Sequence, residues 1–177
     1  MRVIAGEHRG RRLVAPAGRA TRPTPDRVRE SVFSILASVA GDRVLDLYAG
    51  SGALAIEALS RGAAEATLVD SSPAAVAAIR RNIAALGLQA EVYPIRAAAF
   101  LERARTAARQ YDLVFLDPPY RHASALGHEL SAALAPLLAP DARVVAESDR
   151  RAPLELDLGL FDTRRYGDTL ITLYGSR

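Results

Sequence analysis

The chain has no cysteine, no lysine, and no stretch of eighteen apolar residues free of charge. Each absence removes a class of explanation. Without thiols there is neither a disulfide framework nor a thiolate metal site, and three scattered histidines (His8, His122, His128) make a poor metal cluster, so no metal is expected. With no long apolar run, and no apolar segment behind a basic start, the chain reads as neither secreted nor membrane-spanning, and a cytoplasmic protein without a membrane partner is expected. No internal repeat or low-complexity linker interrupts it. All 23 basic residues are arginine. That uniformity is a compositional bias, so the information lies in where the arginines fall.

What remains is 177 residues with 50% hydrophobic and 24% charged content, the make-up of one soluble, core-forming domain. Residues 1 to 30 carry eight arginines (2, 9, 11, 12, 19, 22, 27 and 29) against Glu7, Asp26 and Glu30, a net of +5 within a total of +3, which leaves the remainder at −2. A basic segment on a near-neutral body is the footprint of phosphate contact, although a solvated arm would look the same by charge alone. Residues 1–23, rich in Gly, Arg and Pro with short apolar pairs, read as an extended or hairpin arm, and 24–177 as the body.

Thr24, Pro25 and Asp26 form a helix start, with an N-cap, a proline at the first position and an acid facing the helix dipole. Val28, Val32, Ile35, Leu36 and Val39 give an apolar stripe of helical period that Gly41 ends. Beyond it, strand-like runs at 43–48, 66–70, 90–95, 111–117 and 142–147 alternate with Ala-rich helical stretches at 53–61, 73–86, 98–108 and 123–138. This alternation predicts an α/β fold with a mostly parallel sheet covered on both faces. The tail differs: 161–166 and 168–174 meet at Gly167 as an antiparallel hairpin at the sheet edge.

Ligands of open α/β sheets bind outside the carboxyl ends of the strands, and the first strand runs into Asp46-Leu47-Tyr48-Ala49-Gly50-Ser51-Gly52. Glycines let the backbone turn sharply and approach a ligand, and the following helix start offers free N–H groups. Gly50 to Ala55 also fits the dinucleotide pattern G-x-G-x-x-A, so the loop alone is ambiguous. Two acids separate the readings. Asp46, just ahead of the loop, repels a pyrophosphate but welcomes a cationic amino or sulfonium group. Asp70, ending the second strand, can accept both hydroxyl protons of a ribose. An adenosine with a charged amino-acid tail fits better than NAD, unless both acids merely cap strand ends.

The fourth strand runs into Asp117-Pro118-Pro119-Tyr120. Two prolines fix φ and remove two N–H donors, leaving carbonyl acceptors suited to an amine ligand. An exocyclic base amine is a poor nucleophile because its lone pair is delocalised into the ring. Acceptors from the Asp117 carboxylate and the Pro118 carbonyl, aimed at its N–H bonds, favour a pyramidal nitrogen. With an ordinary pKa of roughly 3.9, Asp117 is expected to be ionised and to stabilise positive charge as it develops on that nitrogen. Tyr120 offers a ring for base stacking.

With both motifs in place, the sequence resembles the RsmD family of ribosomal RNA (guanine-N2)-methyltransferases over nearly its whole length. The likeness is carried by RVIAG and RGRRL, TRPTPDRVRESVFSIL, LDLYAGSGALAIEALSRGA, DPPY and RRYGDTLITLY, in that order. It implies a Rossmann-like class I methyltransferase with a seven-stranded sheet and a reversed hairpin. The donor would be S-adenosylmethionine, and the acceptor a guanine of 16S rRNA (conventionally 966) in the small ribosomal subunit or its assembly intermediate. Cofactor residues would be Asp46, Tyr48, Ala49, Gly50, Ser51, Gly52, Asp70, Ser71 and Ala97, and the catalytic tetrad Asp117 to Tyr120. One departure stands out: Ile95-Arg96-Ala97-Ala98 replaces the acid or amide often found after strand three, leaving adenine to backbone groups or apolar packing.

Arg9, Arg11, Arg12 and Arg22 are the candidates for RNA phosphate contacts. Tyr166 and Gly167 either edge the base pocket or form a simple turn. A monomer is expected. Two other functions fit the same residues: an adenine-N6 or cytosine-N4 methyltransferase, disfavoured by the lack of a target-recognition insert, and a non-catalytic RNA-binding assembly factor.

Overall fold

Seven strands form one sheet in the order β3-β2-β1-β4-β5-β7-β6. The computed structural model describes residues 1–18, 24–118 and 123–175. Along the chain come α1 (Asp26–Leu36), β1 (Arg43–Leu47), α2 (Ala53–Ser60), β2 (Glu65–Val69), α3 (Pro73–Leu86), β3 (Glu91–Tyr93), α4 (Ala97–Thr106), β4 (Tyr111–Leu116), α5 (Ala123–Leu134), β5 (Leu138–Asp149), β6 (Leu160–Tyr166) and β7 (Thr169–Tyr174). Strands β1 to β5 are parallel, while β7 runs antiparallel to both β5 and β6. The winding reverses between β1 and β4, the point at whose carboxyl strand ends open α/β sheets bind their ligands.

The apolar residues of each strand alternate between two cores. Leu45, Leu47, Val114, Leu116, Val144 and Ala146 pack with Phe100 and Leu101 of α4 and Leu130 and Leu134 of α5. Val44, Leu68, Leu113, Phe115 and Val145 pack with Val28, Val32, Phe33 and Leu36 of α1, Ala55 and Ala58 of α2, and Ile79 of α3. Because side chains alternate with period two, Asp46, Asp70, Asp117 and Glu147 continue the second set. Four acids therefore follow apolar residues onto the face covered by α1, α2 and α3.

Several boundaries differ from the sequence reading for identifiable reasons. Helix α1 is capped by Pro25, whose carbonyl accepts from the Val28 and Arg29 amides, because the Thr24 hydroxyl is turned to Glu147 instead. It ends at Leu36, short of Gly41. Arg143 from β5 donates to the Leu36 and Ser38 carbonyls at 2.6 and 3.0 Å, taking up acceptors that a further turn would have used, and Val39 is buried beyond the helix end. Pro136 stops α5 in a single 3-10 turn, Ala135–Leu137, and Pro94 stops β3 at Tyr93. By contrast α3 follows its signals, with the Ser72 side chain accepting from the Ala75 amide and Gly87 left-handed at the C-terminus.

The N-terminal segment docks on the body. Arg2 and Arg12 form an antiparallel bridge, and Val3 and Leu13 are buried against Ala53, Ile56 and Leu86. The buried Glu57 carboxylate of α2 accepts from the Ile4 and Ala5 amides at 2.7 and 3.0 Å, and Arg61 neutralises it at 2.8 Å. Asn82 of α3 accepts from the Val14 amide at 2.8 Å and donates to the carbonyls of Val14 and Ser51, each at 2.9 Å. One amide side chain thus joins the N-terminal segment, α3 and the glycine loop. Asn82→Ala strands buried backbone groups on both sides, and is expected to lower stability by about 2 kcal/mol in urea unfolding and to expose residues 1–14 to proteolysis.

Candidate active site

Strand β1 ends in a tight reversal that carries the glycine loop. Tyr48 adopts a left-handed conformation (φ 64°), a cost of about 1 kcal/mol or more for a residue with a Cβ, and such strain concentrates at functional sites. The Ala49 amide donates to the Val69 carbonyl at 3.1 Å, and the Gly52 amide to the Ala49 carbonyl at 2.7 Å. Gly52 (φ 77°) caps α2, and a side chain there would strike Leu68 Cδ2 at 2.8 Å. Gly50 (φ 57°) faces open space, since an added Cβ would meet only the Tyr48 carbonyl oxygen, at 4.0 Å. Packing beneath thus requires one glycine, and the other leaves backbone open to a ligand.

Each predicted acid stands at this end of the sheet. Asp46 is buried and accepts from the Ala55 amide at 3.2 Å, supplying the α2 cap that Gly52 has no side chain to give. This helix cap differs from the strand-end capping considered as the alternative, and it leaves the carboxyl group beneath the loop. Asp70 accepts from the Gly50 amide at 2.9 Å through Oδ2 and from the Ser72 amide at 2.8 Å through Oδ1, while keeping lone pairs for further donors. Ser71 beside it is exposed. Ala97 is buried at the start of α4, where Arg96 makes no side-chain cap.

Asp117 and Pro118 follow β4 directly, and Pro118 is buried. Leu47 pairs with Leu116 and Leu116 with Ala146, so Asp117 lies between Tyr48 on one side and Glu147 on the other. Glu147, 6% exposed, was not singled out by sequence reading. Its signal was the same as that of Asp46 and Asp117: an acid continuing an apolar strand on the inward face. Thr24 donates to its Oε2 at 2.7 Å. Pro119 and Tyr120 lie outside the described residues, as does Arg22.

The expectation of an ordinary, ionised Asp117 is corrected. Burial above all, then the neighbouring Glu147 charge, then Asp46, hold its carboxyl well above the usual carboxylate range. Glu147 is raised by burial and lowered in part by the Thr24 bond. Burial pushes Asp46 up to about 7, with Asp70 adding repulsion against the Ala55 hydrogen bond. Burial thus raises the proton affinity of all three carboxyl groups. Among the described residues no group of His, Asp and Glu is arranged to hold a metal ion.

Of the remaining candidates, Arg9, Arg11 and Arg12 are exposed on the docked segment, with Arg11 also donating to the Ala85 carbonyl at 3.0 Å. Tyr166 packs against the α1 core and hydrogen-bonds Ser31, which fixes the ring to α1, and Gly167 (φ 65°) turns the hairpin. No helix among the described residues is long and apolar enough to cross a membrane.

The Asp46 shift has a stability consequence. A carboxyl that binds its proton more tightly when folded loses stability as pH rises from its unfolded value near 4 through about 7, by about 1.4 kcal/mol for each unit of displacement. Asp46→Asn removes the ionisation. Its melting temperature is expected to exceed that of the wild type at pH 8, with the gap closing as pH falls towards 4, as thermal unfolding across that range will read.

A family model described as "Conserved hypothetical protein 95" matches residues 1–175. YlbH of Bacillus subtilis (strain 168) is 40% identical over 188 residues, covering the whole of both chains. Ribosomal RNA small subunit methyltransferase D of Escherichia coli (strain K12) is 45% identical over 123 residues, 68% of this chain and 61% of that protein. Among solved structures, yhhF from Escherichia coli superposes with a TM-score of 0.85 at 35% identity, covering 100% of this chain and 98% of the other. The sheet with its reversed hairpin is that of a class I methyltransferase, and the chain belongs to the ribosomal RNA small subunit methyltransferase D family.

Proposed function

We propose that the protein transfers a methyl group from S-adenosylmethionine to the exocyclic N2 of a guanine in the 16S rRNA of the small ribosomal subunit, free or in an assembly intermediate. The observation that carries the reading is the gathering of Asp46, Asp70, Asp117 and an open glycine turn at the carboxyl ends of β1, β2 and β4. A partly desolvated cluster of carboxyl groups beside an open turn suits a cationic nucleoside and an amine. Family membership narrows the amine to a base of small-subunit RNA.

The residues present fit the cofactor. Asp70, already oriented by two amides, would take the ribose hydroxyls, with Ser71 beside it. Tyr48, Ala49, the Gly50-Ser51-Gly52 turn and Asp46 would surround the methionyl end. Ala97 and the backbone at the start of α4 would lie against adenine. Bound there, S-adenosylmethionine supplies an electrophilic methyl whose C–S bonding pair leaves with sulfur. Asp117 and the Pro118 carbonyl would accept the two N2 protons, so that the nitrogen lone pair turns out of conjugation and forms the new N–C bond. The N2 proton then passes to Asp117, whose raised proton affinity makes it a better acceptor than an ordinary aspartate. Tyr120 would stack on the base. The guanine must be unpaired or extruded to reach this depth.

Residues 1–23 serve in this reading as a basic RNA-facing segment on the methyltransferase body, 24–177, acting as a cytoplasmic monomer without a metal. Incubation with labelled donor and small-subunit particles, followed by nucleoside analysis, is expected to give N2-methylguanosine. N6-methyladenosine, N4-methylcytidine or no product would replace the reading with one of its rivals. Asp117→Ala is expected to lower kcat at least about 100-fold while the protein still binds donor. Replacing Arg9, Arg11 and Arg12 together by Ala is expected to weaken RNA binding at low salt and to flatten its salt dependence by somewhat under one logarithmic unit per lost phosphate contact, as titrations at several salt concentrations will measure.

A further inference from the structure

Glu147 touches no reacting group in the chemistry described so far, yet it is buried in the register position next to Asp117, on the same sheet face. Adjacent strands lie about 4.8 Å apart, so the two side chains start from neighbouring positions on one sheet face, a spacing that matches donors on neighbouring atoms of one planar ring. The single hydrogen bond to the Glu147 carboxyl among the described residues comes from Thr24, and it engages Oε2. Thr24 leads directly into α1, so this bond orients the carboxyl group through Oε2, and no hydrogen bond to Oε1 comes from the described residues.

We infer that Glu147 reads the base: its Oε1 accepts the ring N1–H of the guanine whose N2 amine is held by Asp117. The assignment rests on the guanine-N2 reading above and adds the group that selects guanine. Among the common bases guanine presents an exocyclic amine next to a ring N–H on the Watson–Crick edge. In adenine and cytosine the ring nitrogen there is an acceptor, so a carboxylate facing it would meet a lone pair and remain unsatisfied. Sites that hydrogen-bond a donor discriminate strongly against analogues lacking it, because the buried acceptor is then stranded. Asp117 alone cannot make this choice, since all three bases offer an NH2 group.

A structural role for Glu147, as the anchor of Thr24 and hence of α1, predicts something different, and Glu147→Gln separates the two. The glutamine carbonyl still accepts from Thr24, while its NH2 replaces Oε1 and presents donors to the base. The substrates are small-subunit particles whose 16S rRNA carries either guanine or 2-aminopurine at the position the wild type methylates. 2-Aminopurine keeps the N2 amine but has an acceptor at N1. The wild type is expected to prefer guanine in kcat/KM by about 100-fold, and E147Q to narrow or invert that preference by at least about tenfold, with donor affinity within about twofold of the wild type. An unchanged preference in E147Q overturns the assignment. Glu147→Asp keeps the charge but withdraws it by one methylene, and is expected to lower the rate on guanine while keeping guanine preferred; a preference lost as fully as in E147Q would also overturn it. A wild type that leaves guanine unmodified overturns the functional reading itself, and the two failures are therefore distinct.

Discussion

Everything at the working end of this molecule depends on carboxyl groups being carried into a desolvated position by the strands that bury their neighbours. Asp46, Asp117 and Glu147 each extend an apolar strand by one more inward-facing residue. The core that pulls Val44, Phe115 and Val145 out of water takes the acids with them. Unpaired charge in such a place is costly, and the proton affinity of each group rises. A ligand that brings positive charge relieves that cost. Burial that raises these proton affinities also sets stability against a prepared site.

The supports around these acids come from distant parts of the chain. Thr24, ahead of α1, reaches β5; Arg143 of β5 closes the far end of α1; Asn82 of α3 holds both the N-terminal segment and the glycine loop. Helix α1 is therefore fixed at both ends to the strand that carries Glu147. The first fourteen residues, basic on their outer side, are fastened through backbone groups to α2 and α3 and form part of the wall behind the loop. A segment that reads as an appendage by composition is a structural member by its hydrogen bonds.

The sequence made much of this legible. Strand and helix positions followed from apolar period, Gly and Pro, and the loop after β1 and the acids ending β1, β2 and β4 came from asking where an open sheet exposes its strand ends. What escaped did so because it depends on partners far apart in sequence. Thr24 has the chemistry of a helix cap, and nothing local reveals that its hydroxyl goes to a glutamate 123 residues away. Gly41 looks like the end of α1 until Arg143 supplies donors five residues earlier. Glu147 was visible as an acid at the end of VVAE, but only the β4–β5 register shows that it adjoins Asp117. The protonation of Asp117 was misjudged for the same reason: an ordinary value assumes water around the group, and burial beside two other acids is a property of the assembled sheet.

Asp70 illustrates what such placement does for a small molecule. Its two oxygens already tie the glycine turn to the start of α3, through Gly50 on one side and Ser72 on the other. The rotamer entropy of that side chain is spent when the protein folds, so a sugar that docked there would find its acceptor immobile and aimed. By the same geometry, truncating this aspartate would unlatch two loops along with the sugar, and the loss of binding would exceed what the missing contacts alone are worth.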